Sequence, residues 1–194
     1  MIGARTRLEP RARRQQILEV AAKEFATRPY NAVHMADVAG RAGVSRALVY
    51  RYYPTKRELF AAVYDLAATS LVEASSIESG AGLADQVMIG LDAHLDFFEA
   101  NARSVLVANR GELAGDPLVE AIITRQLAEL RQGMLNALGV SGHRRDVASV
   151  ALHGWLSFVR AVCVEWLANQ RVTREEVREL CLRVLSAAAG MEGS

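Results

Sequence analysis

Apolar residues recur along this chain at the three- and four-residue spacing of amphipathic helices rather than at the period of two that half-buried strands require. The clearest case is the first long segment, in which Ile17, Leu18, Ala21, Ala22 and Phe25 fall on one helix face. The pattern predicts an all-α fold.

Helix-breaking and capping residues divide the pattern into nine predicted helices. Their spans are 8–27, 34–41, 46–52, a helix from just after Pro54–Thr55 to about residue 75, and then 83–101, 103–112, 117–138, 143–169 and 173–189. A Ser- and Gly-rich loop at 79–82 separates the first four helices from the last five. We predict two domains: a three-helix head, residues 1–53, and a six-helix body, residues 54–194.

Charge is divided unevenly between the two ends of the chain, although the net charge is only +1. Residues 1–57 carry 12 Lys and Arg against four Asp and Glu, a net charge of +8. Residues 58–194 carry 11 against 18, a net charge of −7. A basic head on an acidic body is the distribution expected when only the head contacts a polyanion such as DNA.

Several classes of protein are disfavoured by the sequence. It has no run of about 18 apolar residues that would span a membrane, and its first thirty residues are too charged for a secretory signal. We therefore expect a cytoplasmic protein with no membrane partner. Cys163 and Cys181 belong to no CxxC pair, which indicates two reduced packing thiols rather than a disulfide or a zinc site.

Residues 34–53 have the pattern of a helix-turn-helix. Ala39 supplies a small residue for close helix contact, Gly43 a chain reversal and Val49 an apolar anchor. Ser45 is a good N-cap for the second helix, and Val44 with Val49 occupies the two positions of a hydrophobic staple. These features fix the entry angle of the second helix locally.

The second helix of this motif is only two turns long. If Val49 faces the core, five side chains lie on its sides and outer face, within reach of DNA: Arg46, Ala47, Leu48, Tyr50 and Arg51. Each arginine alone is equally compatible with solvated surface charge. The tyrosines at 50, 52 and 53 favour an interface, because exposed aromatic rings are costly unless some pack and others donate hydroxyls to phosphate.

A T-x-x-E capping box, Thr55 with Glu58, begins the next helix. Lys56 lies in its first turn, where backbone N–H groups and the helix dipole already favour an anion. We expect a phosphate to bind at this helix start.

The combined pattern resembles the N-terminal domain of the TetR family of bacterial regulators. The resemblance rests on Arg14-x-x-Ile17-Leu18-x-x-Ala21-Ala22-x-x-Phe25, Val38-Ala39-x-x-Ala42-Gly43-Val44-Ser45 and Val49-Tyr50-x-Tyr52-Tyr53-x-Thr55-Lys56-x-x-Leu59. It implies a head whose third helix enters the major groove, a linking fourth helix, and a helical body that dimerises and holds an inducer. The palindromic operator, the homodimer and the inducer are thus expectations from the resemblance.

By position, the resemblance also implies roles for individual residues. Three match the base-reading positions of the family: Arg46, Ala47 and Leu48. Four match its phosphate-facing positions: Tyr50, Arg51, Tyr52 and Lys56. Arginine can pair bidentately with guanine, whereas Ala47 and Leu48 can only press on a thymine methyl.

The head departs from the family at three positions. Pro29 replaces the usual Gly, and Ala36 replaces a side chain that reads a base in some members. His34 replaces the Thr or Ser that caps the second helix and contacts phosphate. Imidazole caps less well, so His34 contributes only if it accepts the N–H or, when protonated, meets a phosphate.

Beyond about residue 66 the resemblance fades, and the apolar spacing becomes the main guide. The last two helices carry enough apolar residues to form the four-helix dimer interface that the family uses. Two heads about 34–36 Å apart match successive major grooves of a palindrome.

An aromatic cluster with a few polar groups suggests a small-molecule site in the body. The residues are Tyr64, His94, Phe97, Phe98, Trp155 and Phe158. The same spacing is also typical of an ordinary core. Gly90 and Gly154, inside helices, indicate either close helix approach or space for a ligand.

No catalytic, cofactor or metal motif is found. Asp92, Asp96, Glu99 and Glu165 suggest a solvated face more than a cation site. The sequence therefore favours a regulator over an enzyme, and the family resemblance implies a repressor released from its operator by a small, lipophilic molecule. The alternative is a DNA-binding regulator or nucleoid component without small-molecule input.

Overall fold

The computed structural model describes residues 9–75 and 83–188, and within them it contains nine α-helices, one 3-10 turn and no strand. The α-helices are α1 Pro10–Thr27, α2 Met35–Arg41, α3 Arg46–Tyr52, α4 Lys56–Ala74, α5 Leu83–Ala100, α6 Ala102–Asn109, α7 Pro117–Leu138, α8 Gly142–Asn169 and α9 Arg174–Ala188. The all-α prediction is confirmed. The predicted loop at 79–82 lies outside the described residues.

The chain divides into two compact units, of which the first ends at Asp65 and the second begins at Leu66. This division falls inside α4, twelve residues beyond the boundary expected between residues 53 and 54. The difference arises because the first half of α4 buries Leu59, Phe60 and Val63. The domain boundary predicted between residues 53 and 54 stays a prediction.

The head, which we define as residues 9–65, is built around the apolar face of α1. Ile17, Leu18, Ala21 and Phe25 are buried as the spacing predicts. The ring of Phe25 packs edge-on against Phe60, with centroids 5.2 Å apart. Aromatic contacts of this kind fix the start of α4 against α1.

A 3-10 turn at Tyr30–Ala32, which the sequence pattern does not predict, links α1 to α2. The ring of Tyr30 lies 5.9 Å from that of Phe25 and 5.5 Å from that of Phe60. The turn is therefore held by tertiary packing rather than by a local signal.

A buried carboxylate connects α1 to α2. Glu24 is only 3% exposed, and its two oxygens pair with Arg28 at 2.9 Å and with Arg41 of α2 at 3.1 Å. Arg28 extends the network to Asp37 at 2.8 Å and to the carbonyl of Ala32. A buried charge needs such partners to offset its desolvation.

The body, residues 66–188 as far as they are described, is organised around α8, which contacts α5, α6, α7 and α9. The turn between α7 and α8 contains Gly139 at a φ of 63°, a conformation that favours glycine. Arg145 of α8 then binds the carbonyl of Leu135 and the side chain of Asn136. These bonds fix the antiparallel register of α7 and α8.

Among the described helices, α8 is the one whose length and composition would suffice to cross a membrane. Its most apolar window is 39% buried. Part of this apolar character is explained by its central position in the body, and the rest lies on an outer face.

The acidic residues expected on a solvated face are exposed and also ion-paired. Arg174 of α9 pairs with Asp92, Asp96 and Glu99 of α5. Glu165 pairs with Arg110. These four carboxylate side chains are between 38% and 70% exposed, so the expectation of a solvated face is confirmed. The sequence did not indicate their arginine partners, which lie far away along the chain.

Both cysteines are buried and free, as the sequence analysis expects. Burial raises the pKa of Cys163 to about 12 and that of Cys181 to about 11. Protonated thiols of this kind are poor nucleophiles.

The Glu24 network yields a prediction about stability. Glu24→Gln removes the charge that Arg28 and Arg41 share, and we expect it to lower the free energy of unfolding by about 1–3 kcal/mol. Urea denaturation followed by circular dichroism measures the change. Glu19→Gln, at an exposed position of the same helix, is the matched control and should change stability by less than about 0.5 kcal/mol. Equal effects of the two substitutions would contradict a structural role for Glu24.

Candidate functional site

The turn between α2 and α3 is a Schellman motif, in which the chain reverses at a left-handed residue. Gly43 has a φ of 62°, and its N–H bonds to the carbonyl of Gly40 at 3.1 Å. The N–H of Val44 bonds to the carbonyl of Ala39 at 3.0 Å. The predicted chain reversal at Gly43 is confirmed, and it aims α3 away from α2.

The start of α3 is fixed by a cap and an anchor. The Ser45 hydroxyl accepts a hydrogen bond from the N–H of Leu48 at 3.2 Å, which confirms the predicted N-cap. Val49 is completely buried, which confirms the predicted anchor. Because Val49 faces the core, the rotation of α3 about its axis is determined.

That rotation turns the predicted DNA-contacting side chains outward. Arg46, Ala47, Tyr50 and Arg51 are exposed, and Leu48 is half-buried. The face combines two cations with small and apolar side chains, a combination suited to base edges and phosphates.

The three tyrosines of α3 and its C-cap have three different environments. Tyr50 is exposed, whereas Tyr53 is buried. Tyr52 donates its hydroxyl to the carbonyl of Pro10 at 3.2 Å. Burial raises the pKa of Tyr53, against an opposing effect of the nearby Arg14, whose guanidinium carbon lies 5.4 Å from the ring centroid.

The beginning of α1 thus lies beside the end of α3, a proximity that the sequence analysis missed. Pro10 accepts the Tyr52 hydroxyl and Arg14 covers the Tyr53 ring. The sequence shows a cluster of positive charge at arginines 11, 13 and 14. Only the fold shows that the beginning of α1, where they lie, is beside the end of α3.

The capping box of α4 forms as predicted. The N–H of Glu58 donates to the Thr55 hydroxyl at 3.1 Å, and the N–H of Thr55 donates to the Glu58 carboxylate at 2.9 Å. Lys56 is half-buried and donates to the carbonyl oxygens of Tyr30 at 2.9 Å and Asn31 at 3.4 Å. Its ammonium also lies 4.4 Å from the centroid of the Tyr30 ring.

Lys56 therefore has a structural contact that the sequence did not indicate: it ties α4 to the 3-10 turn. An ammonium has three donors, so these carbonyl contacts still allow it to donate to a phosphate. Its phosphate contact stays a prediction.

His34 is the N-cap residue of α2, is exposed, and makes no side-chain capping bond. The first turn of α2 contains Asp37 instead. A hydrogen bond from Arg28 is the main reason that the pKa of Asp37 is lowered. The weak capping expected of imidazole is confirmed, and the contact of His34 with DNA stays a prediction.

Ring contacts join three of the six residues predicted to bind a small molecule. His94 stacks on Phe98 with ring centroids 4.8 Å apart, and Phe97 meets Phe98 edge-on at 5.6 Å. Tyr64, in contrast, stacks on Phe60 in the core of the head. Trp155 donates its indole N–H to the carbonyl of Cys181 on α9, and Phe158 is half-buried.

Other candidate sites in the body have fewer of the side chains expected to bind a ligand or a metal ion. A surface crevice of about 290 Å³ is lined by Trp166, Arg174 and neighbouring residues, and none of the six predicted ligand residues lines it. Among the described residues, no group of three or more His, Cys, Asp or Glu could hold a metal ion.

Comparisons with known proteins agree with the geometry of the head. Residues 17–63 match the family model described as bacterial regulatory proteins, tetR family. The HTH-type transcriptional activator FasR of Mycolicibacterium smegmatis is 25% identical over 175 residues, which cover 85% of this chain and 77% of that protein. The HTH-type transcriptional regulator LuxR of Vibrio harveyi is 46% identical over 55 residues, 28% of this chain and 27% of that protein.

The fold of the whole chain is also found among solved structures. A tetR-family transcriptional regulator from Streptomyces coelicolor superposes with a TM-score of 0.79 at 23% identity, covering 95% of this chain and 82% of the other. The motif geometry, the family match over the head and the shared fold lead to one conclusion. Over residues 17–63 the chain belongs to the TetR family of bacterial regulatory proteins, which are DNA-binding transcriptional regulators, and its whole length shares their fold.

Proposed function

We propose that this protein is a homodimeric repressor that binds a palindromic operator through α3 and is released by a small, lipophilic molecule. The observation that carries the DNA-binding part is the orientation of α3, which buries Val49 and exposes Arg46, Ala47 and Arg51 in a head of net charge +8 over residues 1–57. Sequence-specific binding requires base-reading side chains on an exposed, rigidly held element.

In this proposal Arg46, in the first turn of α3, reads the operator. Its guanidinium pairs bidentately with a guanine, the commonest specific contact in the major groove. Ala47 and Leu48 contact thymine methyl groups. Ser45 contributes by fixing the helix start, and its hydroxyl is already engaged by the N–H of Leu48.

Phosphate contacts in this proposal surround α3. Tyr50 and Arg51 are exposed for such contacts. Lys56 contacts phosphate while it retains its bond to the Tyr30 carbonyl, whereas Tyr52, which has a single O–H donor, exchanges its bond to the Pro10 carbonyl for one to phosphate. His34 lies at the start of α2, where a protonated imidazole would add a further cation.

An exposed stripe on α8 supports dimerisation. Val147 is 57% exposed and Val150 76% exposed, and Gly154 lies on the same face. A Cβ atom added to Gly154 would meet no atom of the chain within 4 Å. Glycine in a helix interior costs about 1 kcal/mol relative to alanine, and a close approach of α8 from a second copy would explain its use here.

Release by a small molecule requires a ligand that favours a body conformation in which the two heads no longer fit successive major grooves. The aromatic contacts of His94, Phe97 and Phe98 support such a site in the body. A regulator that lacks small-molecule input would bind its operator equally with and without any added compound.

Activation of transcription is the specific alternative to repression, because the relative FasR is named a transcriptional activator. Transcription of the target promoter in vitro separates the two: a repressor lowers the transcript level and an activator raises it. A regulator of either sign acts in the cytoplasm, where the DNA is, and needs no enzymatic activity.

Selection of genomic DNA fragments by the purified protein tests operator recognition. We expect a palindrome to be enriched, and we expect Arg46→Ala to lose about 1–3 kcal/mol of discrimination at one base pair in each half-site, with other positions unchanged. Arg46→Lys, which keeps the charge, is the matched control and should restore phosphate attraction but not full discrimination. A uniform loss over all sequences would make Arg46 a backbone contact.

The phosphate contact of Lys56 is tested by salt dependence. Lys56→Ala should weaken binding to every sequence and flatten the slope of log K against log salt by about one. Lys23→Ala replaces the other lysine, exposed on α1, and should leave the slope unchanged. Because Lys56 also binds the Tyr30 carbonyl, the thermal stability of each variant is measured in parallel. An unchanged slope in a folded Lys56→Ala protein would remove Lys56 from the phosphate contacts.

The dimer interface is tested by placing a large charged residue on α8. Gly154→Arg should convert dimers to monomers, measured by sedimentation velocity, because the guanidinium blocks close helix approach. Gly133→Arg is the matched control, since Gly133 is also a helical, exposed glycine with no atom within 4 Å of an added Cβ. Dimers that survive Gly154→Arg at the concentrations of the control would exclude this face as the interface.

A further inference from the structure

Some buried polar atoms of the body have no hydrogen-bond partner. Among them are the Nε2 of His94 and both amide atoms of Gln126. The residues are only 4% and 1% exposed. Buried groups of this kind are rare in native proteins and destabilise the fold, so each calls for an explanation such as an absent ligand.

His94 belongs to a polar cluster that surrounds the ring of Phe98. The imidazole stacks on one side of this ring, and the guanidinium carbon of Arg160 lies 5.9 Å from its centroid. Arg160 also donates to the side chain of Asn109 at 3.0 Å. The cluster thus joins α5, α6 and α8, and it brings a positive charge into an aromatic interior.

His94 is a neutral hydrogen-bonding group in this cluster. Burial, and to a lesser extent the charge of Arg160, lower the pKa of His94 to about 3. A neutral imidazole carries one N–H donor and one acceptor. In the tautomer with the proton on Nε2, the unpartnered atom is a hydrogen-bond donor.

Gln126 lies at a different place. It precedes Leu135 by nine residues, and Leu135 is bonded to Arg145 of the antiparallel α8. Because α7 and α8 are antiparallel, the residue of α8 level with Gln126 lies nine residues after Arg145, at Gly154. Gly154 precedes Arg160 by six residues, which is about 9 Å along the axis of α8. Gln126 is thus level with a part of α8 about 9 Å along the axis from Arg160, and neither of its amide atoms bonds to the Phe98 cluster.

From this geometry, and resting on the ligand-controlled release proposed above, we propose that the body binds an aromatic carboxylate at the Phe98 cluster. The carboxylate accepts hydrogen bonds from Arg160 and His94, and the aromatic part of the ligand packs against Phe97 and Phe98. Arginine and an N–H donor match the two oxygens of a carboxylate. The rings of Phe97 and Phe98 can make the same stacked and edge-on contacts with the aromatic part of the ligand that aromatic rings make with one another.

The ligand enters a packed interior, so its binding breaks some of the contacts among the rings of His94, Phe97 and Phe98. The hydrogen bond gained by the His94 Nε2 offsets part of this cost, since that atom has no partner in the ligand-free protein. A pocket that opens only for its ligand is the arrangement expected here.

The test uses the 194-residue chain with 2-naphthoate as the probe and 2-naphthalenemethanol as its neutral match, measured by calorimetric titration. We expect the carboxylate to bind at least about 10-fold more tightly than the alcohol, because charge-assisted hydrogen bonds are the stronger kind. Equal affinity for the two compounds, or binding of neither, would overturn the proposal.

Variants separate recognition from general effects on the fold. His94→Leu should weaken 2-naphthoate binding by about 10-fold or more. Gln126→Leu is the matched control: it also removes an unpartnered buried polar group, and it should leave the affinity unchanged. Arg160→Met is a second variant at the cluster and should remove the preference for the acid over the alcohol. Loss of binding in Gln126→Leu equal to that in His94→Leu would contradict the assignment.

Operator binding in the presence of the probe distinguishes this site from the proposed function. If 2-naphthoate binds at His94 without releasing DNA, the site stands and ligand-controlled release fails. If another molecule releases the operator while 2-naphthoate does not bind, release stands and the carboxylate site fails.

Discussion

A helix of seven residues is too short to be stable in water by itself, and α3, the proposed reading helix, is of that length. Its conformation is therefore supplied by its surroundings. Ser45 satisfies an N–H at its start, Val49 anchors its middle in the core, and the Tyr52 hydroxyl joins its end to the first residue of α1. The direction of Arg46 is consequently a property of the packed head, and changes far from α3 can alter DNA recognition.

The same dependence explains how the head uses its positive charge. Arg28 and Arg41 surround the buried carboxylate of Glu24, and Lys56 donates to backbone carbonyls. These cations hold α1, α2 and α4 together. Arg46 and Arg51 remain exposed. A charge count made from the sequence therefore predicts the sign of the partner, but it overstates how many cations are available to meet phosphates.

Features encoded within a few residues were predictable, and features encoded across the fold were not. The cap at Ser45, the reversal at Gly43 and the box of Thr55 with Glu58 each follow from neighbouring residues. The pairing of Arg174 with Asp96 joins residues 78 positions apart, and no local pattern announces it. For the same reason the aromatic spacing suggested six ligand residues without showing that the His94 ring stacks on Phe98.

The body places two proposed interactions on one helix. α8 presents Arg160 to the interior and Val150 with Gly154 to the outside. A ligand that draws Arg160 toward a carboxylate disturbs the packing around α8, and a close-packed interior transmits such strain to the helix, which can rotate in response. Rotation of α8 would in turn change how two copies meet at Gly154. Under these two proposals, α8 itself couples the ligand site to the dimer interface. Any account of release must identify a physical connection of this kind between the two sites.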